Sequence, residues 1–227
     1  MAQNHTTSST HKSATPNFEI IPAILVKTRD ELLKRINLVK SYVKTVQIDV
    51  MDNEFVPNKT IGLESLHDLP SGVNYEFHWM VNNPENYIEK IKGNYLHIVH
   101  IEAKMDFNKA KQIAEKNGGK IAIAINPPTQ VEKVFAYEQK VSQILVMSVN
   151  PGFSGQIYIK EVEAKVKILS ARNPKLDIEI DGGINLETIN LAYKAGANKL
   201  CAASAIYENA DIKKAIENLC LRAKSGV

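Results

Sequence analysis

A closed (β/α)₈ barrel is the fold this sequence predicts, and three observations carry the prediction. Eight short β-type runs recur from Phe18 onward, separated by stretches with helical periodicity. Such alternation sets parallel strands side by side with helices packed across them. Two runs, Val46-Gln47-Ile48-Asp49 and Ile178-Glu179-Ile180-Asp181, end in carboxylates and break at once into loops, as barrel strands do when they deliver groups to a catalytic rim. Eight strand–helix units in 227 residues favour closure over an open doubly wound sheet.

In chain order, strands are predicted over residues 19–25, 44–50, 73–81, 95–102, 120–125, 141–149, 176–181 and 198–202. Each is rich in β-branched and aromatic residues and bounded by turn formers. Between the first two, residues 30–39 place Leu32, Leu33, Ile36 and Val39 on one stripe. Near the end, residues 211–220 do the same with Ile212, Ala215, Ile216, Leu219 and Cys220, the pattern of helices that cover a sheet. Asn185 reads as the N-cap of a helix over 186–194, and Gly196 as its stop.

At 44% apolar and 23% charged residues the chain buries one sizeable core, so residues 18–227 are expected to form a single domain. Residues 1–17, MAQNHTTSSTHKSATPN, lack periodicity and an apolar signal core and read as a disordered tail. The net charge of +3 is dispersed and aromatic residues are sparse, which argues against a nucleic-acid surface. No segment approaches membrane-spanning length, and Cys201 and Cys220 lack metal-type spacing. A reduced, cytoplasmic protein with no membrane partner is expected.

Barrel chemistry sits at strand C-terminal ends. Those ends supply Asp49 and Asp52, His78, Glu102, Asn126, Asn150 and Asp181, with Ser204 after the last strand. Two acids and a histidine on one rim suit a divalent ion such as Zn²⁺, Mn²⁺ or Fe²⁺. An isolated strand histidine is more often a hydrogen-bonded core residue, so the residues alone leave both readings open. Phosphate is signalled more strongly. Asn150-Pro151-Gly152-Phe153-Ser154-Gly155, Gly182-Gly183 and Ala203-Ser204 follow three successive strands, and small residues there let backbone N–H groups approach an anion.

The motifs IDVMDNEFVPN, HWMVNNPENYI, HIEA, AINPPT, VMSVNPGFSGQ, IEIDGGIN and GANKLCAASAIY together resemble the ribulose-phosphate 3-epimerase family in order and spacing, over residues 20–207. The resemblance implies a ribulose-phosphate-binding (β/α)₈ barrel that interconverts D-ribulose 5-phosphate and D-xylulose 5-phosphate in carbohydrate metabolism, with a divalent metal and often as a homo-oligomer. It implies that Asp49 and Asp181 are the acid/base pair on opposite faces of C3 and also metal ligands, with His78 a further ligand. Met51, Met80 and Met147 match methionines lining the active site. Gly152, Phe153, Ser154, Gly155, Gly182, Gly183, Ala203 and Ser204 match the phosphate loops.

Four positions depart from that pattern. Gln47 replaces a metal-ligating His, leaving only a neutral, weaker oxygen donor, and Ala23 replaces a substrate-contacting Ser. Asn53 and Ala203 replace glycines, which is expected to reshape the loop after the second strand and narrow the phosphate cradle. Alternatives are an epimerase for another ketose phosphate such as D-allulose 6-phosphate, or a catalytically impaired sugar-phosphate-binding barrel. Decarboxylase chemistry of the same superfamily is disfavoured, because Asp49-Val50-Met51-Asp52 lacks its Asp-x-Lys-x-x-Asp pattern.

Overall fold

The computed structural model describes residues 18–225; the expectation for the N-terminal tail lies outside them. Eight parallel strands close into a barrel in sequence order: β1 (Glu19–Ile24), β2 (Thr45–Met51), β3 (Asn74–Met80), β4 (Leu96–His100), β5 (Lys120–Ile125), β6 (Gln143–Met147), β7 (Asp177–Asp181) and β8 (Lys199–Ala202). β8 pairs back onto β1 through Ile21 beside Cys201. All eight predicted strands are present.

The helices are α1 (Arg29–Val39), α2 (Glu85–Ile88), α3 (Phe107–Lys116), α4 (Glu163–Arg172), α5 (Ile189–Ala195), α6 (Ser204–Tyr207) and α7 (Ile212–Lys224). Side chains of Thr28, Asp106 and Asp211 accept the backbone N–H three residues on and so start α1, α3 and α7. The alternation is less regular than predicted. The β2–β3 and β5–β6 connections carry only 3₁₀ turns, Leu63–Ser65 and Val131–Tyr137. The first is broken by Pro57, Gly62 and Pro70, and the second opens on Pro127-Pro128, where a helix interior would lose N–H donors. α5 begins at Ile189, later than predicted, because Asn185 Oδ1 accepts from the Glu187 and Thr188 amides and caps a turn leading into it. Gly196 ends α5 at φ 110° as predicted.

Strand alternation divides the interior in two. Val46, Ile48, Val50, Phe77 and Trp79 belong to the main apolar core, between barrel and helices. Within the barrel a smaller cluster, Ile98, Ala122, Leu145 and Met147 among it, fills the lumen. The N-terminal end of the lumen holds buried polar groups instead. Gln143 donates to Glu179, Lys199 donates to Gln143, and Lys199 Nζ lies 3.9 Å from Glu76. Burial raises the Glu76 and Glu179 carboxyls above the usual range, with Lys199 pulling both back. Among the described residues no helix is long and apolar enough to cross a membrane.

Candidate active site

At the opposite end, the same alternation turns Gln47, Asp49 and Met51 on β2, His78 and Met80 on β3, and Asp181 on β7 toward one centre. Register fixes their heights. Asp49 lies beside His78 and Met51 beside Met80 across β2–β3, while Met147 lies beside Asp181 across β6–β7. His78 Nδ1 is 3.1 Å from Asp49 Oδ1 and 3.5 Å from Asp181 Oδ2, so one imidazole meets both carboxylates. Asp49 and Asp181 are only 6% and 9% exposed. Among the described residues, Asp49, His78 and Asp181 are the one group of three metal-type side chains whose ligand atoms lie within 4.8 Å of one another.

Burial governs the charges here. It raises the Asp49 pKa, with the Asp181 charge adding to the rise and His78 opposing it. Burial alone would depress His78, but Asp181 and Asp49 outweigh it and hold the imidazole at about 9. Beyond His78 stands His100, its Nε2 2.8 Å from His78 Nε2. Burial pushes His100 down to about 4, so it is neutral. Its Nδ1 lies 3.3 Å from Glu102 Oε2.

Gln47 presents its nitrogen to the acids. Nε2 donates to Asp49 Oδ1 at 2.9 Å and Asp181 Oδ2 at 2.8 Å, and lies 3.4 Å from His78 Nδ1. Oε1, the atom expected to serve a cation, is buried without a hydrogen-bond partner. The amide thus cross-links two anions. The donor set nevertheless fits a divalent ion, since two carboxylates and an imidazole converge and the orphaned oxygen joins them if the amide turns about its last bond.

One cleft joins this centre to the loops after β6, β7 and β8. Its walls include Asp49, Asp181, the three predicted methionines and all eight residues predicted to contact phosphate; Gln47 and His78 lie beneath, fully buried. Gly182 and Gly183 have φ of 116° and 64°, and a Cβ on them would come within 2.5 Å of Val149 and 2.9 Å of Tyr158. Only glycine fits that corner. Ala23 lines the cleft where a hydroxyl was expected to be missing.

Several rim residues have other uses. Asp52, collected as a rim acid, is a loop anchor: Oδ1 accepts from the Glu54 and Phe55 amides and Oδ2 from Asn82. Glu102 accepts the Asn126 amide at 2.8 Å while facing His100. Asn150 is exposed, its carbonyl accepting from Gln156. Asn53 keeps a glycine-like backbone. It takes the left-handed φ of 66° that a glycine would take, a conformation Asn tolerates, and bonds to the Asn58 carbonyl. Ala203 has φ −111°, so a side chain is accommodated without left-handed strain. The loops after β2 and β6 are tied by Asn58 Nδ2 donating to the Gly152 carbonyl at 2.6 Å.

Sequence reasoning missed His100, Ser148 and Gln156. Ser148 places its hydroxyl against the Asp181 and Gly182 carbonyls, and Gln156 holds the Asn150 and Phe153 carbonyls. His100 stands two residues before Glu102, a spacing that puts both on one face of the strand predicted over residues 95–102, but nothing local to it names its partner.

A closed parallel barrel with paired acids and an imidazole at its C-terminal rim, opening onto glycine-lined loops, defines a (β/α)₈ barrel enzyme. Comparison with known sequences narrows this. The profile of the ribulose-phosphate 3 epimerase family matches residues 19–207. A ribulose-phosphate 3-epimerase of Bacillus subtilis is 38% identical over 187 residues, covering 77% of this chain and 84% of its own. One from Schizosaccharomyces pombe is 32% identical over 209 residues, covering 88% and 92%. The chain belongs to the ribulose-phosphate 3-epimerase family, an isomerase family. Among solved structures, 3-keto-L-gulonate-6-phosphate decarboxylase from Vibrio cholerae shares the fold at TM-score 0.68 and 15% identity, covering 90% of this chain and 96% of its own.

Proposed function

We propose that this protein interconverts D-ribulose 5-phosphate and D-xylulose 5-phosphate by moving a proton off one face of C3 and returning one to the other. The observation that carries the reading is the convergence of Asp49 and Asp181, from strands on different sides of the barrel, on one buried imidazole beside a glycine-lined cleft. Asp49 takes the C3 proton and Asp181 delivers one from the opposite side; in the reverse direction the roles exchange. Burial makes Asp49 a stronger base than an exposed carboxylate.

A divalent ion (Zn²⁺, Fe²⁺ or Mn²⁺), held by Asp49, His78 and Asp181 with Gln47 as the neutral fourth donor, supplies Lewis-acid polarisation of the C2 carbonyl when bound. Met51, Met80 and Met147 exclude water from the enediolate without offering it a competing hydrogen bond. Backbone N–H groups of Gly152 to Gly155, Gly182, Gly183, Ala203 and Ser204 grip the phosphate and so orient C3 between the acids. A cytosolic location accords with the rice relative, 37% identical over 182 residues, that is named a cytoplasmic isoform.

The deciding measurement is solvent-deuterium uptake at C3 of D-ribulose 5-phosphate, with and without Zn²⁺, Mn²⁺ or Fe²⁺. Asp181→Asn is expected to form no D-xylulose 5-phosphate, because the second face of C3 then has no acid. Gln47 and Ala23 favour a second reading, in which the altered rim serves another ketose phosphate such as D-allulose 6-phosphate. Faster exchange on that sugar than on the pentulose would select it, and no exchange on either would leave an impaired sugar-phosphate-binding barrel.

A further inference from the structure

His100 and Glu102 are buried or half-buried on β4 and in the turn after it, and the proton transfer proposed above does not use them. The geometry points to a positioning role: Glu102 and His100 fix the proton on His78 Nε2, so that His78 offers Nδ1 to a metal ion between Asp49 and Asp181. This rests on the metal-dependent reading.

The assignment follows from which atom can accept from which. A carboxylate only accepts, so Glu102 Oε2, 3.3 Å from His100 Nδ1, requires the hydrogen to be on Nδ1. A neutral imidazole protonated there has a bare Nε2. That atom lies 2.8 Å from His78 Nε2, and two nitrogens at this separation need one hydrogen between them. His100 supplies the lone pair, so His78 supplies the N–H. The remaining His78 nitrogen, Nδ1, is the one turned toward Asp49 and Asp181.

The arrangement is held from outside. Glu102 Oε1 accepts the Asn126 amide at 2.8 Å, which keeps Oε2 free for His100. Lys165 Nζ in turn donates to the Asn126, Pro127 and Thr129 carbonyls and pins that loop. Phe55 packs on His100 with ring centroids 5.0 Å apart, and His78 and His100 are themselves nearly coplanar at 22°. A ligating imidazole whose other nitrogen is hydrogen-bonded is held in one tautomer and one orientation, and loss of such a partner typically weakens metal binding 10–100-fold.

Glu102→Gln is the informative change, because one amide oxygen cannot serve both Asn126 and His100. Its NH₂ then faces His100 Nδ1 and drives the hydrogen to His100 Nε2, against the His78 N–H. Two readouts on the full chain are needed. Long-range ¹H–¹⁵N spectra of the metal-free, histidine-labelled protein should show wild-type His100 as the Nδ1–H tautomer, and the variant as Nε2–H. Competition titration with Zn²⁺ should show affinity roughly 10–100-fold weaker in the variant, while inorganic phosphate binds both proteins alike. An Nε2–H tautomer of His100 in the wild type, or a variant with wild-type Zn²⁺ affinity, overturns the assignment. Should the wild type bind no Zn²⁺, Mn²⁺ or Fe²⁺ at all, the metal-dependent reading and its consequence for Nδ1 fall together. The spectra would still report separately whether Glu102 sets the His100 proton.

Discussion

Gln47→Leu removes the amide that bridges Asp49 and Asp181 while nearly keeping side-chain volume, so no large cavity confuses the result. The wild-type Nε2 makes two hydrogen bonds to buried carboxylates, at 2.9 and 2.8 Å. Bonds of this charge-assisted kind contribute about 1.5–3 kcal/mol each, and leaving buried anions unpaired costs at the upper end. Because some carboxylate charge can be relieved by proton uptake, a loss of about 3 kcal/mol is expected in metal-free protein. For a barrel of this size that is a drop in melting temperature of roughly 6–12 °C. Saturating Mn²⁺ should shrink the gap, because a cation held by Asp49, His78 and Asp181 would neutralise the two acids in both proteins. Differential scanning calorimetry with and without Mn²⁺ makes the comparison. An equal gap in both conditions, or no gap at all, would refute the idea that Gln47 cross-links the acids. Gln47→His, by restoring an imidazole donor, should tighten metal binding; unchanged metal content in both proteins would remove this position from the ligand set.

Asp181→Asn should abolish epimerisation at C3 yet bind inorganic phosphate normally, checked by NMR and calorimetric titration; full activity would remove Asp181 from the mechanism. Gly182→Ala should destabilise the fold by about 2 kcal/mol or more and weaken phosphate binding, since φ is 116° and the new Cβ meets Val149 at 2.5 Å. Gly155→Ala, with open space around it, should cost only about 1 kcal/mol by urea unfolding. Burial lowers His97 from the ordinary 6.5 to about 4. Its folded-state pKa lies below the unfolded one, so its stability is complete above pH 6.5 and falls away down to pH 4, by about 3 kcal/mol in all. His97→Gln has no proton to gain there, and unfolding curves across that window should be correspondingly flatter.

The strands were legible because period-two alternation and turn residues are local signals, and the rim acids because strand ends reveal direction. The rule that barrel chemistry sits at those ends collected Asp49, His78 and Asp181 among other rim residues, and the family resemblance singled them out. What stayed hidden was set by partners distant in sequence. Asp52 has the same chemistry as Asp49 and lies three residues on, but amides of Glu54, Phe55 and Asn82 claim it. The orientation of Gln47 depends on two carboxylates meeting its nitrogen, which its residue type could not disclose. His100 was invisible as a partner because its significance lies in one nitrogen of a neighbouring strand's histidine. The polar end of the lumen, with Glu76, Gln143, Glu179 and Lys199 from four strands, likewise appears only on closure.

The Asn58 side chain that holds the Gly152 carbonyl spans two loops with different duties. One follows the strand bearing Asp49; the other closes over the cleft. Neither can shift alone without breaking that bond, so on the proposed reading an anion held at one end of a bound sugar would pull on the loop that follows Asp49 at the other. Arrival of the proposed substrate's inert tail and alignment of its reactive carbon would then be coupled through that one bond.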